Sequence, residues 1–130
     1  MNPKHLPFKV EGITWHALTL EPEAFSEMKK LMTEQFGVKP MMEMPGVSVF
    51  AMENGTLLEL YDPKAVPSYG YNDSVAFGFR VSDIEAASKA LETAGFELLG
   101  DITRAEEYKY AYRHFRGMDG KVYGLNQQGK

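Results

Sequence analysis

The chain has 130 residues, which is one domain's worth and enough to bury roughly two-thirds of its unfolded surface without disulfides. Hydrophobic residues at 44%, charged residues at 25% and a net charge of −4 are typical of a soluble globular protein and disfavour nucleic acid or a membrane as a partner. The absence of cysteine excludes disulfides, thiolate metal sites and a cysteine nucleophile. No apolar stretch is long enough for a signal peptide or a membrane span, so we expect a cytoplasmic location.

The first third of the chain is predicted to form a strand and a helix. Residues 12–20 are predicted to form the strand, and Pro22 suits the first turn of the helix. Apolar residues then recur at helical spacing over residues 25–36, up to a terminating Gly37.

Short strands and a linker follow this helix. The turns between the strands are indicated by Pro45-Gly46 and by Asn54-Gly55, and the second of these is a good hairpin signal. Residues 62–73 lack any periodicity and are predicted to be a linker between two modules. The three strands are predicted at residues 41–44, 47–52 and 56–61.

The second half of the chain repeats this order of elements. A strand is predicted at residues 74–81, and Ser82 with Glu85 has the spacing of a capping box for a helix that ends at Gly95. Asp119-Gly120 is the last predicted turn. The remaining strands are predicted at residues 96–99, 108–116 and 121–126.

The two halves also match residue by residue. Residues 55–60 realign with residues 120–125, which places Glu59 on Gly124, and Trp15 aligns with Ala76. One domain over residues 1–130 is therefore predicted, made of two modules that share a core because neither has enough core alone. The modules are predicted to span residues 10–61 and 74–127.

Several segments resemble the glyoxalase, bleomycin resistance and extradiol dioxygenase superfamily, also called vicinal oxygen chelate proteins. The matching segments are residues 79–87 (FRVSDIEAA), 58–60 (LEL) and 115–123 (FRGMDGKVY). The resemblance implies an α+β fold of two βαβββ modules curling around a cavity. It also implies a homodimer, because such half-barrels expose strand edges.

In the superfamily's metalloenzymes, side chains from the first and fourth strands of each module typically hold a divalent metal. The resemblance places Glu59, Gly124 and Ala76 at three of these positions, and only Glu59 has a ligating side chain. Strand alternation favours Trp15 at the fourth position and His16 on the helix side, although His16 as a metal ligand remains an alternative. We therefore expect neither a bound metal nor another cofactor.

Aromatic residues are predicted to replace the metal ligands and form a pocket around Glu59. The resemblance turns Tyr110, Tyr112 and His114 inward, with Ala76, Gly78 and Gly124 clearing space. A surface or dimer face is the alternative for the tyrosines, and an ion pair between Glu59 and Arg80 is the structural alternative for the carboxylate. The predicted ligand-binding residues are Trp15, Glu59, Tyr61, Arg80, Tyr110, Tyr112 and His114.

These predictions favour a metal-independent protein that binds an aromatic or cationic small molecule, similar in plan to the drug-sequestering bleomycin resistance proteins. The first alternative is an enzyme of the same superfamily, a lyase, isomerase or dioxygenase. Such an enzyme would use His16 and Glu59 as a reduced metal site, or Glu59 and His114 as acid and base. A structural module that binds a protein partner through its tyrosines is the third hypothesis.

Overall fold

A computed structural model describes residues 6–71 and 75–129. These residues form an α+β fold with eight strands and two α-helices, which confirms the predicted fold class. The chain divides into two compact units. The first unit is Thr14–Phe77, and the second unit combines Met1–Ile13 with Gly78–Lys130. No helix within the described residues is long and apolar enough to cross a membrane.

The first unit holds a four-stranded sheet and one helix. Its strands lie in the order β2-β3-β4-β1, with β1 and β4 parallel and the other pairs antiparallel. The first four residues of β1 belong to the second unit. A π-helical turn, Leu31–Gln35, extends the helix, and Gly37 then adopts a left-handed conformation. The elements are β1 (Val10–Thr19), α1 (Pro22–Lys30), β2 (Pro40–Met44), β3 (Val47–Ala51) and β4 (Leu57–Tyr61).

The core of the first unit lies between α1 and one face of this sheet. Met32 of the π-helical turn, Phe50 of β3 and Leu60 of β4 are buried there, because alternate strand residues point toward the helix. Leu18 of β1 packs against the same cluster. The other face of the sheet carries Trp15, which is 5% exposed, on the side away from α1.

The second unit has the same kind of sheet. Its strands lie in the order β5-β8-β7-β6, with β5 and β8 parallel and β7 antiparallel to both of its neighbours. Val75–Phe77 at the start of β5 belong to the first unit, and the predicted strand residue Ser74 lies outside the described residues. The elements are β5 (Val75–Val81), α2 (Ile84–Thr93), β6 (Glu97–Ala105), β7 (Tyr110–Arg116) and β8 (Val122–Gln128).

The core of the second unit lies beneath α2. Val81, Ile84, Ala87, Phe115 and Leu125 are all buried in it. Alternate residues on β7 therefore point away from this core, toward the opposite face of the sheet.

Most strand boundaries differ from the prediction by one or more residues, and the differences at β6 and β7 have a visible cause. Strand β7 begins at Tyr110 rather than residue 108, because Glu106–Tyr108 form a 3-10 turn and Lys109 follows in a left-handed conformation with φ of 51°. Strand β6 extends to Ala105, well beyond the predicted end at residue 99. The residues of β6 beyond position 99 alternate little in polarity, because β6 lies at an edge of its sheet and much of it is exposed.

The predicted capping box is wrong. Asp83 is the N-cap of α2, and its Oδ1 accepts a hydrogen bond from the backbone N–H of Ala86 at 3.1 Å. The Ser82 hydroxyl oxygen instead accepts from the N–H of Lys9 at 2.7 Å, a contact that only the folded chain creates.

Asp83→Ala should lower the free energy of unfolding by about 1 kcal/mol, because the N–H of Ala86 loses its acceptor. Asp83→Asn is the matched control and should stay close to the parent, since an amide oxygen caps almost equally well. Urea unfolding of the two variants measures the difference. Equal stability of the alanine and asparagine variants would contradict the assigned cap.

Candidate functional site

One face of the first unit's sheet holds Glu59 among aromatic residues. Glu59 lies beside Ala17 in the pairing of β4 with β1, and Tyr61 lies two residues further along the same face. Trp15 shares this face with Ala17, and both are buried against Ala76. His16 alternates with Trp15 and therefore lies on the face that packs under α1.

Neutral donors surround the Glu59 carboxylate. The Tyr61 hydroxyl donates to Oε1 at 2.7 Å, and the Trp15 indole N–H donates a second hydrogen bond. Glu59 is only partly buried by surface area, but protein atoms crowd its carboxylate. This burial raises the pKa of Glu59 above its usual range, although the two hydrogen bonds act in the opposite direction.

Tyr71 completes the cluster and was not among the predicted site residues. Its ring lies edge-on to Trp15, with centroids 5.5 Å apart, and edge-on to Tyr61, with centroids 5.1 Å apart. Tyr71 also forms a side-chain hydrogen bond with Tyr61. Burial raises the pKa of the Tyr61 phenol, and the charge of Glu59 and the contact with Tyr71 add to this effect. We call Trp15, Glu59, Tyr61 and Tyr71 the aromatic cluster.

The second unit presents its own aromatic stripe, formed by Tyr110, Tyr112 and His114 on the β7 face that points away from α2. The Tyr112 ring lies 6.1 Å from the Tyr110 ring and 5.5 Å from the His114 ring. Tyr112 is 37% exposed, whereas His114 is 6% exposed. Burial lowers the pKa of His114 from 6.5 to about 4, so the imidazole is neutral at pH 7.

Tyr110 also borders a small depression of its own. The depression holds about 60 Å³, which is far below the roughly 300 Å³ at which small-molecule pockets begin. It is therefore too small for an organic ligand. Its lining residues are Arg104, Glu106, Lys109, Tyr110, Ala111, Gln127 and Gln128.

Arg80, the ion-pair partner considered for Glu59, contacts a different carboxylate. Its Nε lies 3.2 Å from Oε1 of Glu11, within the second unit and without hydrogen-bond geometry. Arg80 also lies opposite the buried Asn126 in the pairing of β5 with β8. None of the ion pairs formed within residues 6–71 and 75–129 includes Glu59.

Gly78 is required by the packing of two strands. It lies opposite Gly124 in the pairing of β5 with β8. A Cβ atom at Gly78 would come within 2.8 Å of the Gly124 carbonyl oxygen and 2.9 Å of its Cα. The glycine therefore permits close backbone approach, a role that the sequence alone did not indicate.

The family of the chain follows from a direct match. The model of the glyoxalase/bleomycin resistance protein/dioxygenase superfamily matches residues 15–122, and the chain belongs to this superfamily. The predicted family is thereby confirmed. Among curated proteins, none matches the sequence significantly.

Solved structures share the fold at low sequence identity. Methylmalonyl-CoA epimerase from Mycobacterium tuberculosis is 15% identical, with a TM-score of 0.67 over 100% of this chain and 94% of that chain. A Streptomyces coelicolor methylmalonyl-CoA epimerase variant, in complex with 2-nitronate-propionyl-CoA, is 15% identical, with a TM-score of 0.66 over 94% and 100%. A superfamily member from Vibrio splendidus is 14% identical, with a TM-score of 0.60 over 91% and 100%.

The metal ion of the superfamily's metalloenzymes does not fit the residues present here. Ala76 is packed against Trp15 and offers no donor atom, and Gly124 has no side chain. His16 lies on the face of the sheet opposite Glu59. Across the described part of the chain, no three histidine, aspartate or glutamate side chains gather in one place, whereas a catalytic site typically uses about three protein ligands.

Proposed function

We propose that the protein binds a small organic molecule without a metal ion, and that the aromatic cluster of the first unit is its binding element. The observation that carries this proposal is the Glu59 carboxylate, which is crowded by protein atoms and receives hydrogen bonds from two neutral donors. A carboxylate in such surroundings is destabilising unless it is paired. A ligand that brings a cation or further hydrogen-bond donors would stabilise the ionised carboxylate.

The chemistry of the neighbouring residues supports the same class of ligand. Aromatic faces attract cations and pack against other rings, and Trp15, Tyr61 and Tyr71 bring three such rings together in one cluster. Aromatic amines and quaternary ammonium compounds combine these features.

A thermal-shift panel tests the proposal. It compares aromatic ammonium compounds with neutral compounds of the same shape, once with a chelator and once with added zinc, nickel, manganese or iron. We expect the cationic compounds to raise the melting temperature equally with and without metal, and this effect to disappear in Glu59→Gln. Stabilisation that requires a metal and is lost in Glu59→Ala would overturn the metal-independent proposal.

Glu59→Gln should also change the stability of the protein without ligand. The pKa of Glu59 is higher in the folded state than in the unfolded state. The contribution of Glu59 to the free energy of unfolding is therefore fully present below the unfolded pKa and is lost as pH rises through the folded pKa. The glutamine variant has no such loss, so at pH 8 it should be more stable than the parent by about 0.5 to 2 kcal/mol. The difference in stability between Glu59→Gln and the parent should vanish near pH 4.

Chemical denaturation at the two pH values measures this difference. The matched control is Glu53→Gln, an exposed glutamate of the same unit, which should change stability by less than about 0.5 kcal/mol. A glutamine variant at position 59 that is less stable than the parent at pH 8 would make Glu59 a structural residue.

We propose that the aromatic stripe of the second unit, together with Arg80, is a ligand-binding surface of that unit in its own right. Tyr112 supports this role, because its ring is accessible while its neighbour His114 is buried and uncharged at pH 7. Tyr112→Ala in the same panel should weaken binding several-fold, as expected for the loss of about 0.5 to 1.5 kcal/mol of aromatic contact.

An enzyme is the second candidate, favoured by the raised pKa of Glu59. A raised pKa makes the ionised carboxylate a stronger base, which favours the proton abstraction that an acid-base isomerase requires. Methylmalonyl-CoA epimerases share this fold, so hydrogen exchange next to the thioester carbonyl of methylmalonyl-CoA in deuterated water is the appropriate assay. Exchange that is lost in Glu59→Gln would favour the enzyme over the binding protein.

Self-association is proposed from the sheet edges. Strand β2 is at the edge of its sheet, and its Met41 and Met44 are exposed. Exposed apolar residues on an edge strand favour pairing with a second copy of the chain. We expect light scattering at micromolar concentration to give the mass of a homodimer, and a monomer would contradict this expectation.

A further inference from the structure

Tyr71 is held within the aromatic cluster by two ring contacts. Trp15 and Tyr61 project from neighbouring strands, and the Tyr71 ring lies edge-on to both, at interplanar angles of 74° and 80°. Perpendicular rings at centroid distances of 5.1 to 5.5 Å are in favourable contact. The two strand residues thus hold a third ring, which the chain itself supplies.

The hydroxyl groups of Tyr61 and Tyr71 determine which functional group a ligand needs in order to bind in the cluster. A phenol has one hydrogen to donate, and Tyr61 gives its hydrogen to the Glu59 carboxylate at 2.7 Å. A side-chain hydrogen bond also joins Tyr61 and Tyr71, and while the Tyr61 hydrogen lies on Glu59 the Tyr61 oxygen accepts in that bond from the Tyr71 hydroxyl. A ligand that replaces Tyr71 must donate a hydrogen bond to the same Tyr61 oxygen.

The segment that carries Tyr71 differs from the strands that carry its partners. Residues 62–71 contain turns but neither a helix nor a strand. Of the backbone hydrogen bonds described for this segment, two close local turns, from the N–H of Ala65 to Asp62 and from the N–H of Gly70 to Pro67, and a third joins the N–H of Asp62 to the Gly46 carbonyl. Displacing the end of the segment that carries Tyr71 therefore disturbs a local turn, whereas displacing β1 or β4 would break several hydrogen bonds of the sheet.

We propose that Tyr71 is an internal substitute for the ligand, and that the site binds a ring bearing a hydrogen-bond donor, such as a phenol, when Tyr71 withdraws. This inference rests on the proposed function, because it assigns a ligand class to the same aromatic cluster. It also makes residues 62–71 a competitor of the ligand, so the affinity of the intact protein is reduced by the fraction of molecules in which Tyr71 fills the site.

The test uses Tyr71→Ala and three probes of similar size: p-cresol, 4-methylanisole and toluene. Trp15 is the single tryptophan of the chain, so fluorescence excited at the red edge of its absorption reports on the cluster directly. We expect p-cresol to bind Tyr71→Ala about tenfold more tightly than the parent, because the competing ring is gone. We expect 4-methylanisole and toluene to bind the variant at least about fivefold more weakly than p-cresol, because both leave the Tyr61 oxygen without a donor.

Two further variants keep the test decisive. Tyr71→Leu removes the ring with less loss of packing and should show the same preference for p-cresol if the alanine variant fails to fold. Phe96→Ala is the matched control in the second unit, where an edge-on ring contact with Phe115 is removed from an apolar core. This control should not distinguish p-cresol from 4-methylanisole. Equal affinity of the Tyr71 variants for p-cresol and 4-methylanisole, or no gain over the parent, would overturn the proposal.

Failure of this inference is distinguishable from failure of the proposed function. If the parent shows Glu59-dependent stabilisation by cationic compounds while the Tyr71 variants show no preference for p-cresol, only the role of Tyr71 is refuted. If the Tyr71 variants bind none of the three probes and the parent responds to no compound of the thermal-shift panel, both are refuted.

Discussion

Gly78→Ala should destabilise the protein by about 2 to 3 kcal/mol, or prevent folding where the parent itself is only marginally stable. The added Cβ would lie 2.8 Å from the Gly124 carbonyl oxygen, and backbone atoms of β8 surround it in place of a flexible side chain that could move aside. Relief therefore requires β5 and β8 to separate. That separation would weaken the parallel pairing of these two strands, in which Gly78 and Gly124 form the first described pair.

Gly37→Ala is the matched control for this substitution. Gly37 has φ of 68°, and a Cβ there would meet no atom within 4 Å, so its replacement carries only the backbone cost of about 1 to 2 kcal/mol. Urea denaturation of both variants and amide exchange of β8 measure the difference. If Gly78→Ala costs no more than Gly37→Ala and leaves β8 protection unchanged, the strands are not as close as described.

Acidification should destabilise the protein through His114. Burial depresses the folded pKa from 6.5 to about 4, so the stability contribution is fully present above pH 6.5 and is lost as pH falls toward 4. Between pH 6.5 and pH 4, His114 binds a proton in the unfolded chain but stays neutral in the folded chain. The whole loss corresponds to about 3 kcal/mol, because each tenfold change in proton affinity corresponds to about 1.4 kcal/mol.

His114→Gln isolates this effect, because its amide keeps donor and acceptor atoms but does not titrate. The free energy of unfolding of the parent relative to this variant should fall by about 2 to 3 kcal/mol between pH 7 and pH 4.5. A direct titration by NMR of the imidazole should give a midpoint near 4. Identical pH profiles for parent and variant would show that the imidazole can take a proton in the folded state.

Burial affects Glu59 and His114 in different ways. His114 is neutral at pH 7 and fits its surroundings, so its burial carries no penalty there. Burial raises the pKa of Glu59, and its partners in the described part of the chain are the neutral donors Trp15 and Tyr61, so ionisation of this carboxyl group costs stability. We therefore place the proposed ligand at Glu59 rather than at His114.

Local pattern was sufficient to predict the order of elements and the side of each strand on which residues lie. The offset that aligns Trp15 with Ala76 predicted a repeated unit, and both units have the same order of strands and helix. Alternation placed Trp15 opposite the face of Leu18, because successive strand residues point to opposite sides whatever lies beyond the strand. The spacing of Glu59 and Tyr61 likewise determined that they share a face.

Contacts between residues distant in sequence were decided only by the tertiary structure. Arg80 contacts Glu11, Ser82 contacts Lys9 and leaves the helix cap to Asp83, and Gly78 meets Gly124. None of these pairs has a periodic signal, because each depends on how separate segments pack.

Tyr71 is the clearest example of a residue whose position only the tertiary structure decides. It lies in a segment without periodicity, so nothing in its neighbours along the chain assigns its ring a direction. Its position follows from the aromatic surface that β1 and β4 create together, to which the ring adds two edge-on contacts and a hydrogen bond. Periodicity constrains residues within an element, whereas the place of a loop residue is set by the surface on which it packs.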